Sequence, residues 1–258
     1  MDAAVPLLSL VGVRYGAQRG RGRVEGLLVD VSLDVGAGEL VAVVGSRSRG
    51  KTTLLQLAAG LVAPEDGVVR IRGYDLAGLS EREHSRLLRE EIGLAGQNGP
   101  RVDLRMVHYV AAPLLVSRRR KHRRQAFARA SVALERVGMA SRARQRWGDL
   151  SRWDRALVDV AQGIVGEPGL LLVDDVTDGL GMRETAEVTK LLRSLVEETG
   201  MGVLMTVSDG EAALSAHRVF SLSRRGLRAI SDQSPRPKNV IDLPAVRGGS
   251  DTRRDVCL

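Results

Sequence analysis

The sequence predicts an α/β fold with a mostly parallel sheet, and two observations predict it. Short apolar runs typical of buried strands alternate with amphipathic segments typical of helices. One strand-to-helix junction also carries the pattern G-x-x-x-x-G-K-[ST] at residues 45–52, which requires a strand before it and a helix after it.

The first strands form a predicted β-rich arm. Leu7–Tyr15 and Gly26–Val35 have the composition of strands, and we predict that the Arg/Gly-rich segment Gly16–Arg23 is a connection between them. Val68–Arg72 is a third short strand, which follows the first helix. The arm therefore precedes and follows the first unit of the core.

The junction GSRSRGKTT follows the apolar run Leu40–Val44 and leads into a helix rich in leucine. Glycines let backbone N–H groups approach phosphate oxygens, a lysine reaches the terminal phosphates, and a hydroxyl ligates Mg²⁺. The two arginines of the loop either add phosphate contacts or point outward. The predicted binding residues are Gly45, Ser46, Arg47, Ser48, Arg49, Gly50, Lys51, Thr52 and Thr53.

The remaining core alternates helices and strands. The predicted elements are a helix over Glu81–Glu91, strands over Ile92–Ala95, Gly169–Val173 and Val203–Val207, a helix over Glu184–Glu198 and a closing hairpin over 219–230. Between them, residues 98–165 have a helical pattern. We therefore predict one domain over 1–230, with a core at 1–97 and 166–230, a helical subdomain at about 98–165, and a disordered tail over 231–258.

Composition bounds the possible partners. The only cysteine is Cys257, which excludes a disulfide framework and is consistent with a reducing cytosol. No apolar run approaches the ~18 residues of a membrane span, so we expect a chain that is soluble, or peripheral to a membrane through a partner. The net charge of +8 is compatible with nucleic acid or an anionic membrane surface. The basic run Arg118–Arg124 is either a solvated helix end or a lipid contact.

Over about residues 6–230, these residues and their spacing resemble the ATPase subunit of ATP-binding cassette transporters. The resemblance implies the ABC-type P-loop NTPase fold, with ATP and Mg²⁺ as cofactors. It implies that Tyr15 stacks on adenine, that Gln97 and Asp174 contact Mg²⁺ together with Thr52, and that Leu150 and Ser151 open the signature motif. The competing interpretation is that Tyr15 is an ordinary strand aromatic.

The resemblance also implies partners. Two such subunits, identical or different, close face to face around ATP, and a transmembrane permease subunit receives the motion. Pro113 and Leu114 resemble the segment that docks on the permease. We therefore expect a cytoplasmic protein, peripheral on the inner face of the cell membrane.

The sequence departs from the family pattern where catalysis is expected. The signature reads LSRWD, in which Arg152 and Trp153 replace two glycines that lie close to the γ-phosphate, although Ser151 and Asp154 also fit a helix capping box. Asp175 stands where the family has a glutamate that polarises the attacking water, and Ser208 stands where it has a histidine. Gly181 replaces an interface aspartate.

The sequence thus predicts an ATP-binding subunit of an ABC transporter, coupling ATP binding, with slow or absent hydrolysis, to transport by a separate membrane subunit. Its candidate catalytic residues are Asp175 and Ser208, both at degenerate positions. The alternative is an inactive regulatory or scaffold subunit of a membrane complex. A nucleic-acid-associated cassette protein is disfavoured, because the chain has neither a second cassette nor a long coiled-coil insertion.

Overall fold

The structure is a computed structural model that describes residues 5–19, 23–47, 49–96, 99–100, 102–115, 120–208, 210–223 and 226–232. The strands are β1 (Leu8–Arg19), β2 (Arg23–Val35), β3 (Leu40–Val44), β4 (Asp66–Ile71), β5 (Tyr74–Asp75), β6 (Ile92–Ala95), β7 (Leu170–Asp174), β8 (Gly202–Val207), β9 (Arg218–Ser223) and β10 (Gly226–Asp232). The α-helices are α1 (Lys51–Ala58), α2 (Glu81–Glu91), α3 (Met106–Ala111), α4 (Arg120–Arg136), α5 (Arg152–Ile164) and α6 (Met182–Thr199). No helix in these ranges is both long and apolar enough to cross a membrane.

The central sheet has six strands in the order β10-β9-β3-β8-β7-β6. Every neighbouring pair from β9 to β6 is parallel, and only the edge strand β10 runs antiparallel, to β9. The predicted fold class is therefore confirmed. Because parallel strands end at the same edge, the segments after β3, β7 and β8 meet there.

The arm is a second sheet of four antiparallel strands in the order β2-β1-β4-β5. The predicted connection Gly16–Arg23 is wrong in extent, because β1 continues to Arg19 and pairs there with Arg23 of β2. The local composition is rich in arginine and glycine and disfavours a strand, but pairing along a long antiparallel ribbon overrides it. The hairpin at the C-terminal side also extends further than predicted, since β10 reaches Asp232; residues 233–258 of the predicted tail lie outside the described residues.

Alternate residues of the central strands fill two separate cores. Val41, Val43 and Leu172 face α1 and the arm, whereas Ala42, Leu171 and Val173 face the helical side. This alternation is the period of two that strands impose. Both sides of the sheet are therefore covered, and α1 lies between the sheet and the arm.

Helices α3, α4 and α5 cover one side of the sheet together with α6, in a core that includes Met106, Leu134 and Val160. Helix α5 approaches β6 very closely, because a Cβ built at Gly93 would overlap the carbonyl oxygen of Gly163 and lie 2.8 Å from Pro168 Cγ. Two glycines facing each other therefore set the distance between this helix and the sheet.

We expect Gly93→Ala to destabilise the fold by about 1–3 kcal/mol, because the added methyl forces backbone against backbone. Chemical unfolding of the purified variant measures this. Gly166→Ala is the matched control, since nothing lies within 4 Å of a Cβ at that position. Equal unfolding free energies for the two variants would contradict the close approach.

Candidate functional site

The loop between β3 and α1 begins at the carboxyl edge of the sheet. The Gly45 amide donates to the carbonyl oxygen of Val207, 3.1 Å away, which ties the start of the loop to the end of β8. At the other end, Gly50 adopts a left-handed conformation with φ of 87°. A Cβ there would lie 3.0 Å from Leu27 and 3.1 Å from Leu28, so both conformation and space favour glycine.

Lys51 is the first residue of α1, and its side chain is held at the centre of the site. Its Nζ donates to the carbonyl oxygen of Gly45 at 2.7 Å and to Ser208 Oγ at 2.6 Å. It also lies 2.8 Å from Asp175 Oδ2. The side chain is only 6% exposed, so a buried ammonium is compensated by three oxygens from three separate segments.

The two acidic residues that end β7 have different surroundings. Asp174 Oδ1 accepts a hydrogen bond from Thr206 Oγ1 on β8, at 2.9 Å. Asp175 follows with φ of 50°, an uncommon backbone conformation for a residue with a side chain, and both of its carboxylate oxygens accept from Ser208 Oγ at 3.2 and 3.0 Å. The two candidate catalytic residues, Asp175 and Ser208, are therefore in direct contact with each other and with Lys51.

A further acidic residue, Asp178, contacts the phosphate loop. Both of its carboxylate oxygens accept from Arg47 Nη2, at 2.8 and 2.7 Å. This hydrogen bond, followed by the attraction of the guanidinium, holds the pKa of Asp178 below its ordinary value. Arg47 thus points away from the loop towards an acidic residue of the same chain, whereas Arg49 Nε lies 3.2 Å from Ser46 Oγ within the loop. The sequence analysis did not identify Asp178 as a site residue. The sequence feature that could have identified it is its position three residues after Asp175.

The predicted signature segment begins α5. Ser151 is its N-cap and accepts from the Asp154 amide at 3.1 Å, which is one of the two bonds of the predicted capping box. The Asp154 carboxylate accepts from Ser151 Oγ at 2.9 Å in place of the second bond. Asp154 in turn accepts from Arg142 Nη1 at 2.7 Å. Arg152 lies against the turn after β7, because a Cβ at Gly179 would overlap its guanidinium. Trp153 packs against the helical core.

The other predicted site residues are placed as follows. Tyr15 is opposite Leu28 in the β1–β2 ladder and packs against the core beside α1, while Leu28 itself contacts Gly50. Gly181 precedes α6 and donates to Glu184 Oε2 at 3.0 Å. Thr52 is exposed in the first turn of α1, and Thr53 is half-buried. Gln97 and Ser48 lie outside the described residues.

The predicted docking segment lies at the end of α3. Residues Ala112–Leu114 form a short 3-10 helix, in which Pro113 is exposed and Leu114 is half-buried. His108 is exposed one turn earlier and its ring lies 5.1 Å from that of Phe127 on α4. The segment is therefore continuous with the surface of α4.

Beneath that segment, a buried pair links α3 to α5. The Tyr109 hydroxyl donates to Asp159 Oδ1 at 2.8 Å, and Gln162 Nε2 donates to the Tyr109 carbonyl oxygen at 2.8 Å. Burial raises the pKa of Asp159 to about 6, and the hydrogen bond from Tyr109 and the charge of Arg155 oppose that rise. The sequence did not predict this pair, because its members are fifty positions apart.

We expect the free energy of unfolding to fall as pH rises from about 4 to about 6, because folded Asp159 keeps its proton up to about 6 and the unfolded residue loses it near 3.8. Asp159→Asn removes this loss while leaving an acceptor for Tyr109. The variant should therefore be more stable than the parent at neutral pH, by up to about 3 kcal/mol, which is the free energy that corresponds to the difference between pKa values of about 6 and 3.8. Urea unfolding across this range tests it, with the exposed Asp149→Asn as control; parallel profiles for all three proteins would contradict the assignment.

The chain is similar in sequence to known proteins. The family model described as ABC transporter matches residues 28–178. The lipoprotein-releasing system ATP-binding protein LolD of Bordetella pertussis is 36% identical over 210 residues, which cover 81% of this chain and 90% of LolD. The macrolide export ATP-binding/permease protein MacB 1 of Yersinia pestis is 30% identical over 232 residues, which cover 90% of this chain and 35% of MacB 1.

Solved structures share the fold. The dimeric bacterial ABC transporter cassette MJ0796 superposes with a TM-score of 0.76 at 24% identity, covering 88% of this chain and 99% of the cassette. The same cassette in a post-hydrolysis state bound to ADP and Pi gives the same TM-score.

Proposed function

Because this chain belongs to the ATP-binding cassette transporter family as an ATP-binding subunit, we propose that it binds Mg-ATP at residues 45–53 and couples binding to transport by a separate membrane subunit. The position of Lys51 is the main observation that supports this site. Its ammonium is buried at the carboxyl edge of a parallel sheet, and it contacts the first residue of the loop and the acid after β7.

The start of α1 supports phosphate binding. No described side chain caps this helix at Gly50, so the amides of its first turn are available to an anionic ligand. The positive end of the helix dipole and the Lys51 ammonium then act on the same phosphate groups. Tyr15, which lies beside Leu28 and thus near Gly50, is the proposed adenine contact.

The residues present fit a Mg²⁺ ion bound together with the phosphates. Thr52 offers an exposed hydroxyl, and Asp174 offers a carboxylate whose Oδ1 is fixed by Thr206. Within the described part of the chain, no cluster of three or more His, Cys, Asp or Glu residues could hold a metal alone. The Thr52 hydroxyl and the Asp174 carboxylate are donors of the kind expected for Mg²⁺, which is usually bound by one or two carboxylates together with substrate phosphates. Gln97 is the proposed further ligand.

Hydrolysis is proposed to be slow. Asp175 is one methylene shorter than the glutamate of the family and is engaged by Lys51 and Ser208, so it is held back from an attacking water. The signature segment adds a second obstacle, since Arg152 and Trp153 carry bulk where the resemblance expects glycine. In a face-to-face dimer Asp175 lies at the site of its own phosphate loop, whereas the signature segment faces the partner's loop. Each composite site would therefore contain at least one departure, even beside an intact partner.

The names of the relatives support the transport role. LolD is named as the ATP-binding protein of a lipoprotein-releasing system, and MacB 1 as a macrolide export ATP-binding/permease protein. We propose that this chain likewise works beside a permease, at the cytoplasmic face of the membrane, as one of two identical or different ATP-binding subunits. The exposed segment at Pro113 is the proposed permease contact.

The test is a titration of the purified chain with Mg-ATP, followed by measurement of steady-state phosphate release. We expect saturable binding with little turnover. The absence of binding would overturn the proposal. Rapid turnover that disappears in the Lys51→Ala variant would preserve the binding role and reject slow hydrolysis.

A further inference from the structure

Positive charge is concentrated in the helical segment 99–165. It contains fifteen Lys and Arg residues against five Asp and Glu residues, a net charge of +10, whereas the whole chain carries +8. The rest of the chain is therefore slightly acidic, at −2. A general abundance of arginine does not explain this difference, because arginine is also common outside the segment, where acidic residues balance it.

Ion pairing shows the same contrast between helices. On α2 and α6, exposed or half-buried arginines pair with a glutamate one turn later, as in Arg86–Glu90, Arg183–Glu187 and Arg193–Glu197. Helix α4 has a single acidic residue, Glu135, along its 17 residues. Its exposed arginines Arg123, Arg124, Arg129 and Arg136 make no ion pair with any residue in the described ranges.

These arginines belong to a larger basic helical surface, which also includes the exposed Arg105 and Arg144. Arg129 and Arg136 lie seven residues apart, on the same flank of α4. The start of α3 beside Arg105 is bound to the segment around Arg144, because the Val107 amide donates to the Ala143 carbonyl oxygen at 3.1 Å. The two arginines outside α4 are thereby held on elements that pack with it.

We propose that the basic helical surface binds the anionic lipid headgroups of the cytoplasmic leaflet. The choice of a membrane rests on the proposed function, because residues 112–114 pack on α4 and are the proposed permease contact. The segment also exposes apolar side chains, Val102 at 64% and Val132 at 52%, which suit an interfacial surface. Its four Phe, Tyr and Trp residues, Tyr109, Phe127, Trp147 and Trp153, are all buried or half-buried, so none of these larger rings is exposed for nucleic-acid bases to stack on.

The expected effect is large enough to measure. A basic residue near an anionic leaflet strengthens binding by about fivefold, and the attraction is confined to about one Debye length. Removing three charges should therefore weaken vesicle binding by at least tenfold, with about a hundredfold as the upper end. Raising the salt concentration should weaken binding of the parent protein in the same way.

The test is co-sedimentation of the full chain with vesicles of phosphatidylcholine, with and without phosphatidylglycerol. The variant Arg123→Gln/Arg124→Gln/Arg129→Gln removes three charges from the basic helical surface. The matched control, Arg82→Gln/Arg86→Gln/Arg89→Gln, removes three from α2. A second variant, Arg129→Gln/Arg136→Gln/Arg144→Gln, is used if the first does not fold. Binding of the parent chain to duplex DNA and to single-stranded RNA is measured at the same salt concentration.

We expect the parent chain to bind only vesicles that contain phosphatidylglycerol. This binding should be lost in the α4 variant and kept in the α2 control. Equal binding to both vesicle types, equal loss in both triple variants, or binding to DNA or RNA tighter than to anionic vesicles would overturn the proposal. Mg-ATP titration of the α4 variant separates this inference from the proposed function, because we expect nucleotide affinity to be unchanged. If the α4 variant loses vesicle binding but binds ATP as the parent does, the loss is assigned to the basic helical surface and not to the nucleotide site.

Discussion

Lys51→Met is expected to weaken Mg-ATP binding by about a hundredfold or more, because it removes a charge-assisted contact to the terminal phosphates from a buried position. Lys51 is the only residue whose charged atom contacts the loop, Asp175 and Ser208 together in the described part of the chain. Isothermal titration with Mg-ATP measures the change. Methionine keeps the length and apolar body of the side chain, which limits any loss of stability.

Lys190→Met is the matched control, since Lys190 is exposed on α6. It should bind nucleotide as the parent does. Because Lys51 also neutralises Asp175, the unfolding free energy of the Lys51 variant must be measured beside its affinity. A folded Lys51 variant with parental affinity would show that the loop does not hold the phosphates in the proposed way.

Asp175→Glu is expected to raise the rate of ATP hydrolysis by up to about a hundredfold, since a displacement of the order of one ångström can change a rate by that factor. The added methylene extends the carboxylate beyond its present contacts with Lys51 and Ser208. Single-turnover hydrolysis with enzyme in excess isolates this step. Nucleotide affinity should not fall, because the longer carboxylate no longer competes for Lys51.

Asp178→Glu lengthens a neighbouring carboxylate that pairs with Arg47 and has no proposed contact with water, so it serves as the control. We expect it to leave the rate near that of the parent. If Asp175→Glu binds ATP normally yet hydrolyses no faster, the length of this acid does not limit the reaction. The bulk at Arg152 and Trp153 would then be the first explanation to examine.

Much of the fold follows from local patterns. The strand over Ile92–Ala95 and the helix over Glu81–Glu91 have the predicted bounds. The strand is a short apolar run, and the helix has a clear boundary residue at its start. Ser80 supplies that boundary for the helix, with a capping box to Glu83. The loop between β3 and α1 was likewise predicted from a local pattern, since glycines, a lysine and a hydroxyl stand at fixed spacing.

What the sequence did not predict depends on how elements pair with one another. The pairing of Arg19 with Arg23 extends a ribbon that local composition disfavours. The bond from Tyr109 to Asp159 joins two helices, and the bond from Arg47 to Asp178 joins two loops. None of these pairs leaves a periodic signal, because each joins two segments whose relative position is set by the tertiary fold.

The carboxylates of Asp175 and Asp178 give the phosphate site an internal competitor. Each is fixed by the fold in contact with the cation that it neutralises, so a ligand must compete with it at every concentration. An incoming nucleotide must displace the Asp175 contact before its phosphates reach Lys51. The measured affinity is then a difference between two exchangeable anions, and it favours the ligand that presents the denser negative charge.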